Sequence, residues 1–176
     1  MLMSPNRVKR KIDNMIKYLS DDEALKVAIN LEKDGIDFYT KVASSTVDFK
    51  TRDVFLGLLE DEKEHYKLFK DLHDSLKDSF LRIPDVDEEV SDYLRALVST
   101  RIFDIEKITK SFLKKLSVIN AILIGIQAEK ESILFYTEAA KNSENPKGRK
   151  AFTTILREEK KHLIRLNQRL RYLKRS

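Results

Sequence analysis

Shifted by about 97 residues, the sequence lands on itself: residues 24–69 align with 121–166 without a gap, with about 16 identities in about 46 pairs. Ile29 pairs with Ile126, Glu32 with Glu129, Phe38 with Phe135, Tyr39 with Tyr136, Phe55 with Phe152, Glu62 with Glu159 and His65 with His162. Two copies of one unit must fold as two like halves around a shared core. Within each copy the apolar residues recur at steps of three and four, the period of an amphipathic helix. Ile119, Ile122, Ile126, Glu129, Ile133, Tyr136 and Ala140 form one stripe, and Leu25, Ile29, Glu32, Ile36, Tyr39 and Ala43 form its counterpart. The second helices read Phe55, Leu58, Glu62, His65, Phe69, Leu72, Leu76 and Phe152, Ile155, Glu159, His162, Leu166. Each copy is therefore a helical hairpin with Glu and His where apolar residues belong.

The expected architecture is all-α, a four-helix bundle forming a single domain over residues 1–176. The first hairpin covers about 20–78, a long, partly helical crossover about 79–117, and the second hairpin about 118–174. Ser20 followed three residues later by Glu23 is a capping-box start, and the polar stretches 44–50 and 142–148 are the expected hairpin turns. The crossover breaks at Pro84 and reads as helical over 88–98 and 104–116. It is long enough to run back along a bundle, so that both hairpins enter from the same end. Residues 3–19 add a short amphipathic helix outside the repeat, using Val8, Ile12, Met15, Ile16 and Leu19.

Composition narrows the chemistry. The 176 residues include no Cys, which removes Cys-ligated zinc, iron–sulfur clusters, four-Cys iron centres and thiol redox relays. Any metal must bind through His and carboxylate. The net charge of +5 is concentrated in residues 7–11 and 165–175, which lack the interleaved aromatics of a nucleic-acid groove, so solvated helix ends are expected and no nucleic acid. The first 11 residues hold no apolar signal segment, and the longest apolar run, 118–126, is interrupted by Asn120 and falls far short of the ~20 residues that span a bilayer. No membrane association and a cytoplasmic location are the expectations.

Packing the four stripes together would gather Glu32, Glu62, Glu129 and Glu159 at one level, with His65 and His162 a turn along. Unpaired buried carboxylates cost several kcal/mol each and repel one another, so something must neutralise them. Two divalent cations carry +4 against −4, and the imidazoles complete an oxygen and nitrogen donor set suited to iron or manganese. Glu-x-x-His places its two side chains about 60° apart on one helical face, near enough to share an ion, while a Glu from the partner helix can bridge to the second. One such motif arises by chance readily; two at matching repeat positions, with Glu32 and Glu129 on the paired stripes, do not.

Tyr39 and Tyr136 each lie two turns beyond their own helix's Glu. Two readings stand together: a core aromatic whose hydroxyl finds some partner, or a hydrogen bond that orients a ligand carboxylate and buffers an oxidising equivalent. Glu60, Asp61, Glu64, Glu158 and Glu131 fall off the stripes and read as a solvated face. His73 has no counterpart in the second copy and reads as an ordinary surface or partly buried histidine.

At these positions the sequence resembles the rubrerythrin branch of the ferritin-like superfamily, in which one Glu from each of two helices and Glu-x-x-His from each of the other two surround a di-iron centre. The phrases at 28–32 and 38–39, 59–65, 128–130 and 135–136, and 158–162 carry the resemblance, which covers about 24–166. It implies a ferritin-like bundle binding two iron ions, with manganese or purification-substituted zinc as variants. It also implies a homodimer, and peroxide reduction or oxidation by dioxygen. Rubrerythrins commonly append a four-Cys iron domain that supplies electrons; with no Cys here, an external electron-donor protein is expected. They also carry a further Glu three residues after the third-helix Glu, where this chain has Ser132. The functional expectation is a di-iron peroxidase or ferroxidase in oxidative-stress defence or iron handling. The alternatives are an iron-binding or iron-sensing protein without turnover and a di-metal oxygenase or oxidase acting on an organic substrate.

Overall fold

Four helices account for nearly all of the chain that the computed structural model describes, residues 20–80 and 116–175. They are α1 (Asp21–Ser45), α2 (Phe49–Phe80), α3 (Val118–Asn142) and α4 (Pro146–Leu173), with no strand among the described residues. The expected helix at 3–19 and the crossover's break at Pro84 and helical pieces at 88–98 and 104–116 lie outside the described residues.

Each helix begins where a side chain can satisfy its free N–H groups. Ser20 and Glu23 form a reciprocal capping box at α1, whose first turn also carries Asp21 and Asp22 toward the positive end of the helix dipole. The Asp48 carboxylate accepts the Thr51 N–H at 2.7 Å to open α2, and the Ser117 hydroxyl accepts the Asn120 N–H at 3.1 Å at α3. Asn145 caps α4, with Pro146 in its first turn, where a missing N–H costs nothing.

α1 packs along α2 and α3 along α4, and the hairpins join through α2 against α4 and α1 against α3. The Asp21 carboxylate, at the start of α1, accepts from the Ser143 hydroxyl and from the Glu144 and Asn145 N–H groups at 3.1 and 2.9 Å. At the far end, buried Arg169 of α4 reaches Asp48 and donates to the Thr51 hydroxyl at 2.8 Å. The start of α1 thus lies against the α3–α4 turn, and the end of α4 against the α1–α2 turn. The hairpins enter from opposite ends, which corrects the expectation of a common end. α2 returns the chain to the level where α1 began, and α3 starts at the other end.

The core follows the same two-fold logic. One apolar cluster holds Tyr39, Phe55, Ile122 and Leu166, and the other holds their repeat mates Tyr136, Phe152, Leu25 and Phe69. Burying side chains of this size contributes about 1.5–3 kcal/mol each, enough for two dry layers to hold a polar one between them.

Candidate metal centre

That middle layer is made of Glu32, Glu62, His65, Glu129, Glu159 and His162, none more than 5% exposed. All six residues singled out by the repeat come together. His65 Nδ1 lies 3.1 Å from Glu159 Oε1, 3.5 Å from Glu32 Oε2 and 3.8 Å from Glu62 Oε2. His162 Nδ1 lies 3.4 Å from Glu159 Oε2 and 3.5 Å from both Glu62 Oε1 and Glu129 Oε2. The imidazoles stack with centroids 5.5 Å apart.

These side chains form two four-donor groups, Glu32–Glu62–His65–Glu159 and Glu62–Glu129–Glu159–His162, whose ligand atoms lie within 4.8 Å of one another. Glu62 and Glu159 belong to both, so these two would serve both positions, each from a Glu-x-x-His helix, and Glu32 and Glu129 would be terminal. Glu32 Oε2, His65 Nδ1, Glu159 Oε1 and both ring nitrogens of His162 are buried without a hydrogen-bond partner. Native interiors rarely leave such atoms orphaned, and all but His162 Nε2 converge on common points. Carboxylate oxygens with one imidazole nitrogen per position fit iron or manganese.

Without metal, the layer balances its charge with protons. Burial, then the neighbouring Glu62 charge, pushes Glu32 well above the ordinary carboxylate range, and burial and Glu159 do the same to Glu129. Burial also acts against the charged forms of Glu62 and Glu159, but the neighbouring glutamic acids and imidazoles outweigh it and hold both below that range. Burial disfavours a charged His65, yet the carboxylates of Glu159, Glu32 and Glu62 facing it raise it to about 12, and His162 is raised likewise by Glu129, Glu159 and Glu62. Burial and neighbours thus favour the acid form of Glu32 and Glu129, the carboxylate form of Glu62 and Glu159 and the charged form of both imidazoles.

Both tyrosines touch the layer, each across the hairpin boundary. The Tyr39 hydroxyl donates to Glu129 Oε1 and the Tyr136 hydroxyl to Glu32 Oε1. A residue seven positions on is about 10 Å along its own helix, out of reach of its own Glu. The antiparallel register of α1 and α3, with 39 beside 129 and 32 beside 136, supplies the partner instead. Burial, then the charge of the bonded Glu129 or Glu32, pushes both phenols up, so each keeps its proton and donates it.

One contact was absent from the sequence reading. Asp61, read as solvated, places Oδ2 3.3 Å from His162 Nε2, the nitrogen turned away from the cluster, and accepts from Arg165 at 2.5 Å. A carboxylate behind a histidine fixes which ring nitrogen faces a metal. Gly57 makes room, since a Cβ there would stand 2.7 Å from the Arg165 guanidinium. The available signal was the repeat itself: an acidic residue precedes the motif Glu in both copies, Asp61 and Glu158. Glu158 is held by Lys161 at 2.8 Å on the surface. His73 Nε2 lies 2.9 Å from Asp22 near the start of α1, outside both four-donor groups.

A helical bundle enclosing a buried Glu4His2 layer defines the class: an all-α, ferritin-like four-helix bundle with two four-residue groups able to hold a metal ion. A family model described as Rubrerythrin matches residues 5–73 and, in a second match, 23–170, and the chain belongs to that family. Comparison with curated proteins and with solved structures gave no match. Among the described residues, no helix is long and apolar enough to cross a membrane.

Proposed function

We propose that the protein is a di-iron carboxylate oxidoreductase that reduces hydrogen peroxide or acts as a ferroxidase toward dioxygen, in oxidative-stress defence or iron handling. The observation that carries this reading is the pair of four-donor groups sharing Glu62 and Glu159. Glu32 and His65 would serve one iron, Glu129 and His162 the other, and Glu62 and Glu159 both; manganese or zinc fits the same donors. When bound, the iron pair supplies Lewis acidity and a two-electron reservoir.

The chain's own residues prepare the setting. Tyr136 and Tyr39 hold the terminal carboxylates in orientation, and the Asp61 carboxylate lies behind the His162 ring. The apolar clusters above and below keep bulk water from the layer. Hydrogen peroxide takes two electrons and two protons to give two waters, so every turnover requires a reductant. An external electron-donor protein is the proposed source, acting on a cytoplasmic homodimer.

The sequence's lack of Cys favours a second reading, iron binding or sensing without turnover. Anaerobic addition of peroxide to the ferrous protein should oxidise it rapidly and stoichiometrically, and repeatedly once a reductant is supplied. Oxidation no faster than that of free Fe(II) would defeat the enzymatic reading, and a single turnover in the presence of reductant would select the second.

A further inference from the structure

The crossed tyrosine bonds put Gly35 and Ser132 opposite one another, midway between Tyr39–Glu129 and Tyr136–Glu32. Gly35 has no side chain and Ser132 a short one, and the helices there do not close. A narrow cleft of about 20 Å³ remains between α1 and α3, with Gly35, Ser132 and Tyr39 on its walls. Glu62 and Glu129 also line it, and both are members of the same four-donor group. Glu131 borders it as well; it is an exposed residue whose carboxylate accepts from Gln127 Nε2 at 3.1 Å. The sequence reading placed Glu131 on a solvated face, and nothing in that reading tied it to the buried layer.

We propose that this cleft is the entry port for divalent metal ions, with Glu131 as the surface carboxylate that captures the ion and passes it to Glu62 and Glu129. The inference rests on the metal-centre reading and adds how the centre is filled. Three observations support it. The lining carries three carboxylates and no basic side chain, on a protein whose net charge of +5 would otherwise repel cations. The free space admits a body the size of one water molecule, which suits a partly dehydrated ion. Next to Glu62 and Glu129 in the buried layer, Glu159 is 1% exposed, has its Oε1 without a hydrogen-bond partner, and is a member of both donor groups. An ion arriving at Glu62 and Glu129 thus meets a shared ligand able to hand it on to the second position.

The test is the rate at which metal-free protein takes up Co(II), followed by stopped-flow absorbance of the bound ion. Glu131→Gln is expected to slow uptake by about threefold or more and to flatten its salt dependence, with the final Co(II) stoichiometry unchanged. Ser132→Val, which narrows the cleft and leaves its charge, should also slow uptake but keep the salt dependence. Glu144→Gln, an equal loss of charge in the α3–α4 turn, should load as fast as the unmodified protein. Wild-type rates in both cleft variants, or equal slowing by Glu144→Gln, would overturn the port and leave the metal centre standing. An unmodified protein that binds no Co(II) would overturn both.

Discussion

Tyr39 and Tyr136 show how much a single side chain can be read in advance. Their place on the buried stripes was legible from the three-and-four spacing, and so was the need of a buried hydroxyl for a partner. The partner was not legible, because it lies on the other hairpin and depends on the antiparallel register of α1 and α3. Each phenol bonds a terminal glutamate that nothing else among the described hydrogen bonds holds. Tyr136→Phe should therefore weaken metal binding by about 10- to 100-fold, and Tyr39→Phe by a similar factor, measured by competition with a chelator of known affinity. A pure core role for the rings would leave affinity unchanged, since phenylalanine keeps the packing. Asp61 was missed for the same reason as the tyrosine partners: its target, His162, belongs to the facing helix.

Among the elements, α1 and α2 show a conflict between helix propensity and the site. Gly35 sits inside α1, where replacing Gly by Ala ordinarily stabilises a helix by about 0.5–1 kcal/mol. A Cβ at Gly35 would stand 3.1 Å from Glu62 Cδ, tight enough to displace the carboxylate shared by both donor groups. The metal-free protein can absorb this by turning Glu62 aside; a metal-loaded one cannot. Gly35→Ala should leave the metal-free melting temperature unchanged or higher while reducing the rise on adding metal, a pair of shifts that calorimetry with and without metal separates. Helix starts and turns were readable because caps are local: Ser20 with Glu23, and Asn145 with Pro146, act within one turn. Which ends of the hairpins meet was not, because Asp21 and Arg169 decide it with partners more than 100 residues away in sequence.

For the whole molecule, protons and metal compete for one layer. Below the ordinary histidine value of 6.5, imidazoles are protonated in folded and unfolded chains alike, so the stability from the raised His65 and His162 is fully present; it is lost as pH rises through their folded values. Glu32 and Glu129, also raised, lose their contribution as pH climbs above 4.5. Glu62 and Glu159, held low, contribute above 4.5 and lose that contribution as pH falls through their folded values. The metal-free protein should therefore be most stable under mildly acidic conditions and melt lower at pH 9 than at pH 6. Metal loading must displace protons that the raised imidazoles and the raised Glu32 and Glu129 hold, so titration calorimetry in buffers of different ionisation enthalpy should find protons released on binding near neutral pH. Removing metal should lower the melting temperature most at high pH, where both trends point the same way.

What the sequence by itself determined is everything periodic: two hairpins, four helices, and six Glu and His residues on stripes that had to be buried. A repeat and a helical period are properties of spacing, and spacing survives without a structure. The tertiary structure decided the rest. It set the opposite-ended hairpins, the crossed tyrosine bonds, the place of Glu62 and Glu159 in both donor groups, Asp61 behind His162 and the cleft at Gly35 and Ser132. All of these depend on the relative register of helices far apart in the chain. That register comes from packing two apolar clusters around one polar layer, an energy no local pattern contains.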